Sequence, residues 1–101
     1  MNVGNNVSSI YAHEGLLNSS AHNIANSNTK NFERIDTTIE EQGIDSVKAV
    51  YEKVENSNPY SNTDLVKEVT DQIISYQAVG ANVVAIKTKN ETEDTLLNIY
   101  A

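Results

Sequence analysis

Beyond Asn62 the chain runs to its end without a proline, and Leu65, Val66, Val69, Ile73, Tyr76, Val79, Val83, Ile86, Leu97 and Tyr100 fall mainly on one side of a helix. A helix of about 38 residues is roughly 57 Å long, and a chain of 101 residues must organise itself around an element of that length. Its start is well marked. Ser61 with Asp64 three residues later, or Asn62 alone, supplies a cap, and Asp64 and Glu68 sit where the helix dipole favours negative charge. Gly80 lies inside at a cost of about 1 kcal/mol relative to alanine, so either a close backbone contact uses it or the helix is locally soft; Ala78 and Ala81 beside it suggest close approach. From Lys87 to Thr95 the residues are nearly all polar, supported only by weak pairs such as Lys89 with Glu93.

A second helix is expected at about 5–27. Val3, Val7, Ile10, Glu14, Leu17, Ala21 and Ile24 step alternately by four and three, the heptad pattern of one packing seam with a single polar position, Glu14. Gly4, Asn5 and Asn6 are its candidate starters, and Asn26, Ser27, Asn28 and Thr29 favour turns and caps over continuation.

Between the helices Ile35, Thr37 and Ile39 alternate, Gly43 interrupts, and Val47, Ala49 and Tyr51 alternate against Val50, Glu52 and Val54, which predicts a β-hairpin. A two-stranded ribbon is marginal alone, so it should lean on the helices or on a neighbour. The cluster of Asn56, Ser57, Asn58, Pro59 and Ser61 predicts a loop. The expected fold is therefore mainly α: two long terminal helices packed as an antiparallel, coiled-coil-like pair with a short central hairpin. It is one structural domain made of segments 1–31, 32–60 and 61–101.

Composition narrows the function classes. A net charge of −7 opposes phosphate backbones and anionic head groups, so nucleic acid is not an expected partner. The chain has no cysteine, which removes disulfides and thiolate chemistry. Residues 1–30 hold no apolar run of signal-peptide length, and no membrane span is expected anywhere, so export, if it occurs, would use a signal-independent route. An apolar content of 39% is low for a globular domain, and part of the burial is expected to come from partners.

The stretch Ala21-His-Asn-Ile-Ala-Asn-Ser-Asn-Thr-Lys-Asn-Phe-Glu-Arg34 resembles the N-terminal signature of bacterial flagellar rod and hook proteins, roughly A-N-N-I-A-N-x-N-T-x-G-[FY]-K-R. Asn23, Ile24, Ala25, Asn26, Asn28, Thr29, Phe32 and Arg34 match it; His22, Asn31 and Glu33 depart from it. Asn31 stands where the family prefers glycine, which predicts a left-handed turn that asparagine tolerates best among non-glycine residues. Ser61 to Glu68 is similar to the S-N-V-D-L-x-x-E that opens the family's C-terminal helix, with Thr63 as the main departure, and Thr95, Leu96, Leu97, Asn98 and Ile99 resemble its T-L-L-x-[LI] tail. Asn82 and Thr88 also sit where that pattern expects similar residues. The matches cover about two thirds of the chain. The segment 35–60 is far shorter than the family's β-rich insert, which brings the chain nearest to the short proximal rod proteins.

The resemblance implies terminal helices that pair and line a helical tube. It also implies export through the flagellar secretion channel to the basal body, with partners that are other copies, rod or hook proteins and the export apparatus. Candidate interface residues on the N-terminal side are Val7, Ile10, Leu17, Asn23, Ile24, Ala25, Asn26, Asn28, Thr29 and Phe32. On the C-terminal side they are Asn62, Asp64, Leu65, Val69, Ile73, Tyr76, Val83 and Leu97. The bland account of Asn23, Asn26 and Asn28 is that their amides satisfy carbonyls at a helix end; within the family reading they also hydrogen-bond between subunits.

Enzymatic chemistry finds no foothold. His13 and His22 lack the i, i+4 spacing of a metal pair, so no metal or cofactor is expected. Glu40, Glu41, Asp45, Glu52 and Glu55 have little apolar surrounding to shift a pKa. No serine sits in a G-x-S-x-G setting, and four glycines make no phosphate loop. The rival to a structural subunit is a helical-hairpin binding module or regulator of flagellar assembly that retained the two signatures.

Overall fold

The computed structural model describes residues 3–100. The chain forms helix α1 (Val3–Ala25), strands β1 (Ile35–Glu41) and β2 (Val47–Lys53), and helix α2 (Leu65–Tyr100). The two long helices pack against each other with the antiparallel hairpin between them in sequence, as the periodicity predicts.

The helix ends differ from expectation in detail. Helix α1 begins earlier than about residue 5, so Gly4, Asn5 and Asn6 lie in its first turn and do not precede it. At its other end the Asn26 side-chain amide donates to the His22 carbonyl (2.9 Å) and its oxygen accepts from the Thr29 hydroxyl (3.0 Å), satisfying a terminal carbonyl as a capping amide should. The cap of α2 is Asp64 itself: its carboxylate accepts from the backbone N–H of Lys67 (3.2 Å). Ser61 and Asn62 lie upstream of that cap and serve other partners, because the helix opens one residue past Asp64.

The helices run antiparallel, since Asn23 meets Glu68 near one end and Ser9 meets Asn82 toward the other. The face that packs is not the stripe of Val7, Ile10, Leu17 and Ile24. Helix α1 instead turns inward Ala12, Leu16, Ser19, Ser20 and Asn23, and α2 contributes Glu68 and Ser75, with Asn82 part-buried in the same heptad column. The physical reason is that small side chains let the backbones approach while each polar atom finds a partner. The Ser20 hydroxyl donates to the Glu68 carbonyl (3.0 Å), Ser75 donates to the Asp71 carbonyl (2.8 Å), and the Asn82 amide donates to Ser9 Oγ (3.1 Å). Of the apolar stripe, the side chains of Val3 and Tyr100 lie outside those described.

The hairpin pairs Ile35 with Lys53, Thr37 with Tyr51, Ile39 with Ala49 and Glu41 with Val47, the alternation read from the sequence. It is closed by the loop 42–46, where the Gln42 N–H donates to the Ser46 carbonyl (2.9 Å) and Gly43 and Asp45 adopt φ of 69° and 62°. It lies along α1: Ser19 Oγ meets Thr37 Oγ1 (2.6 Å), and the Val47 N–H donates to Ser8 Oγ (3.1 Å). Helix α1 is thus the middle layer, with α2 on one flank and both strands on another. The molecule is correspondingly elongated, 67 × 24 × 14 Å.

Gly15 faces the hairpin closely. A Cβ at this position would collide with the Tyr51 hydroxyl and stand 3.4 Å from Ala49 Cβ. Because that hydroxyl is the tip of a half-exposed side chain that can swing aside, Gly15→Ala should change stability by less than about 1 kcal/mol in chemical denaturation, the helix propensity of alanine offsetting the displacement of Tyr51. In a Tyr51→Phe background, which removes the colliding oxygen and leaves only contacts at 3.4 Å, the same change should be stabilising, by up to about 1 kcal/mol.

Candidate assembly interface

At one end of the helix pair the two family-like segments meet in a hydrogen-bonded junction. Asn23, 1% exposed, uses its amide group in place of a strand partner: Nδ2 donates to the Ile35 carbonyl (2.8 Å) and Oδ1 accepts from the Ile35 N–H (2.9 Å). The same Nδ2 donates to Glu68 Oε1 (3.0 Å), and Glu68 is likewise 1% exposed. The Thr63 hydroxyl closes the group by donating to the Asn23 carbonyl (2.9 Å). Asn23 is therefore neither a simple helix cap nor exposed for a neighbouring subunit, as the two readings of its sequence context proposed.

A second set of bonds ties the chain leaving α1 to the chain entering α2. Asn62 Oδ1 accepts from the Arg34 N–H (2.7 Å), its Nδ2 donates to the Val54 carbonyl (3.1 Å), and the Arg34 guanidinium donates to the Asn62 carbonyl (3.1 Å). Asn56 reaches the Phe32 carbonyl (3.0 Å) and the Tyr60 carbonyl. Asn31 takes φ of 59°, the left-handed turn expected of it, and its N–H donates to the Pro59 carbonyl (2.9 Å). Phe32 packs edge-on to His22 with ring centroids 5.4 Å apart. Asn28 and Thr29 are exposed at the tip of the turn after α1, and Ala25 closes the helix with an exposed side chain.

Lys67 connects α2 to the hairpin. Its Nζ donates to Asp71 (2.7 Å) and lies 3.9 Å from Asp36, which also pairs with Arg34 (3.1 Å). Partial burial by itself pulls the ammonium pKa down, but the hydrogen bond and charge of Asp71, with the charges of Asp36 and Glu68, outweigh it and raise the pKa above 10.5.

The remaining candidates lie outside the junction and outside the helix seam. Ile10, Leu17 and Ile24 on α1, and Val69, Tyr76, Val83 and Leu97 on α2, stand about 100° around their helices from the packed columns, and Val7 stands further round, about 160° from Ser9. Because the helices are antiparallel, equal rotation in the same sense carries both stripes to the same side of the pair. That side is opposite the hairpin, which occupies the flank marked by Ser8 and Gly15 on α1 and by the Lys67 contact to Asp36 on α2. On α1 the stripe is half-covered, with Val7 exposed; on α2 it is open, from 51% exposure at Val69 and Val83 through 52% at Leu65 and Ile73 to 68% at Tyr76 and 69% at Leu97.

Ser20, Arg34 and Glu68 carry the junction and were not singled out as contact residues from the sequence. The available signal was the seven-residue recurrence of Glu68, Ser75, Asn82 and Lys89, a polar heptad column that competes with the apolar one. No model of a known protein family matches this chain, and no curated protein matches it significantly. Among the described residues no helix is long and apolar enough to cross a membrane, and no cluster of His, Asp or Glu is arranged to hold a metal ion.

Two outcomes follow from the junction. Asn23→Ala strands both backbone groups of Ile35 and a buried Glu68 oxygen, and should cost roughly 2–4 kcal/mol in urea denaturation. The Lys67 contribution has a defined pH window: with the folded pKa above the unfolded one, it is complete below pH 10.5 and lost as pH climbs through the raised value. Lys67→Met should therefore flatten the alkaline limb of the stability profile, measured by thermal melts above pH 10.

Proposed function

We propose that the chain is a structural subunit of the bacterial flagellar basal-body rod, assembling through helix–helix packing of its chain ends. The observation that carries this reading is the meeting of the two family-like segments: residues 21–34 and 61–68, far apart in sequence, share the hydrogen bonds of Asn23 with Glu68 and of Asn62 with Arg34. A resemblance confined to sequence would not need its two halves to form one joint. The apolar side chains left open on α2 supply the association energy such a subunit needs, at about 25 cal/mol per Å² of apolar area covered.

On this reading the function is mechanical and has no turnover. The partners are further copies of the chain and other rod or hook proteins, with the flagellar export apparatus as the carrier and the basal body as the destination. Subunits related by a screw rotation build an open array through head-to-tail contacts. The shortness of the hairpin favours one alternative, a binding module or regulator of flagellar assembly: the hairpin covers one flank of α1 and offers no outer domain beyond it.

Deletion of the gene should abolish flagellar assembly, and a tagged copy should co-purify with basal bodies. Normal motility in the deletion strain, with no tagged protein in basal bodies, would favour the regulator. Ile24→Asp and Leu97→Asp should each abolish incorporation while leaving export intact, since a charge buried without a partner in an assembled interface is strongly disfavoured. Secretion assays beside basal-body preparations separate those two steps, and normal rods with either change would contradict the packing model.

A further inference from the structure

Gly80 has no use inside the subunit. It interrupts the middle of α2 at a cost in helix propensity, yet nothing lies within 4 Å of the place its Cβ would occupy. It stands on the open side of the helix, one turn beyond Tyr76 and one turn before Val84, with Ile73 and Val83 on the same stripe. No charged residue occurs between Asp71 and Lys87. Within that uncharged stretch large apolar side chains are exposed on more than one side, including Ile74 at 47% and Val84 at 62%. A stretch of helix that carries no charge and leaves large apolar side chains exposed beside the polar Gln77 is one whose surroundings are incomplete.

We propose, resting on the assembly reading above, that Gly80 is the crossing point at which a helix of a second copy of this chain packs backbone to backbone against α2. The missing side chain supplies the close approach, and Tyr76 and Val83 flank the crossing. A second copy fits the chemistry of the face. A chain of net charge −7 would recruit a basic partner through its acids, and this face holds none from residue 72 to residue 86. The area also suits it: the exposed parts of Ile73, Tyr76, Val83 and Val84 amount to roughly 450 Å², and Leu65, Val66 and Val69, which continue the open side toward the start of the helix, bring it close to one partner's share of a standard stable interface.

The test is concentration-dependent sedimentation of the purified chain, with Gly80→Leu and Tyr76→Glu beside it and circular dichroism of each. Both positions are open, so both variants should keep the helical spectrum, and Gly80→Leu should melt no lower than the parent when dilute. Self-association should weaken about tenfold or more in each variant. In the parent it should strengthen with added salt, because copies of like charge repel and salt screens that repulsion. A parent that associates while Gly80→Leu associates equally well overturns the crossing at Gly80 and leaves the rod reading standing. A parent that stays monomeric at every concentration and salt overturns the second copy as occupant; co-purification with basal bodies then decides the rod reading separately. Association that appears only with a different protein, or that weakens with salt, overturns the second copy as well.

Discussion

One asparagine side chain holds three elements to a common origin. The amide of Asn23 satisfies both backbone groups of Ile35 and one oxygen of the buried Glu68, so the end of α1, the start of β1 and the first turn of α2 are placed by a single planar group. Its value comes from the penalty for its absence: Glu68 is shielded from water and Ile35 partly so, and an unserved buried carbonyl or carboxylate costs more than the bond contributes when present. Fixing Ile35 against Asn23 also sets which hairpin face turns toward α1, because a shift of one residue would exchange the faces of both strands. Fixing Glu68 sets the register of the helices, which the Ser9–Asn82 contact repeats about four turns away.

The subunit places polar groups inside and apolar groups outside to an unusual degree. Among the described residues the largest fully buried side chains are Glu68, Asn23, Ser20 and Ser75, whereas valine, isoleucine, leucine and tyrosine side chains along α2 remain open. Hydrogen bonds specify geometry well but add little net stability each, so such a seam gives one defined pairing with a modest energy. Apolar contact is less directional and scales with the area removed from water. A device that must be well defined alone and strongly bound in company divides those two roles between two faces, as this chain does.

The architecture was largely legible in the sequence because its signals are periodic. The two helices, the hairpin with its alternating faces, and the left-handed Asn31 follow from spacing and from what asparagine tolerates. The helix seam was misread because apolar periodicity marks surfaces that avoid water without saying whose surface covers them. Ile10, Leu17 and Ile24 keep heptad order, yet a second heptad of Ser9, Leu16 and Asn23 lies about 100° away on the same helix and meets α2. The role of Glu68 was hidden for a related reason. A glutamate in the first turn of a helix is adequately explained by the helix dipole, and only the arrival of Asn23 from a distant segment gives it a buried partner.

The strength of the helix pairing is unevenly distributed along the molecule. The junction residues Asn23, Glu68, Thr63 and Asn62 gather at one end; toward the other, Ser9 and Asn82 provide a contact, and from residue 90 onward every described side chain of α2 is exposed. Local opening follows the density of such contacts. Amide protons should thus exchange with solvent along a gradient, slowest around Glu68 and fastest beyond Asn90, which makes α2 a lever clamped at its root, with a helical tip whose described side chains no other part of the subunit covers.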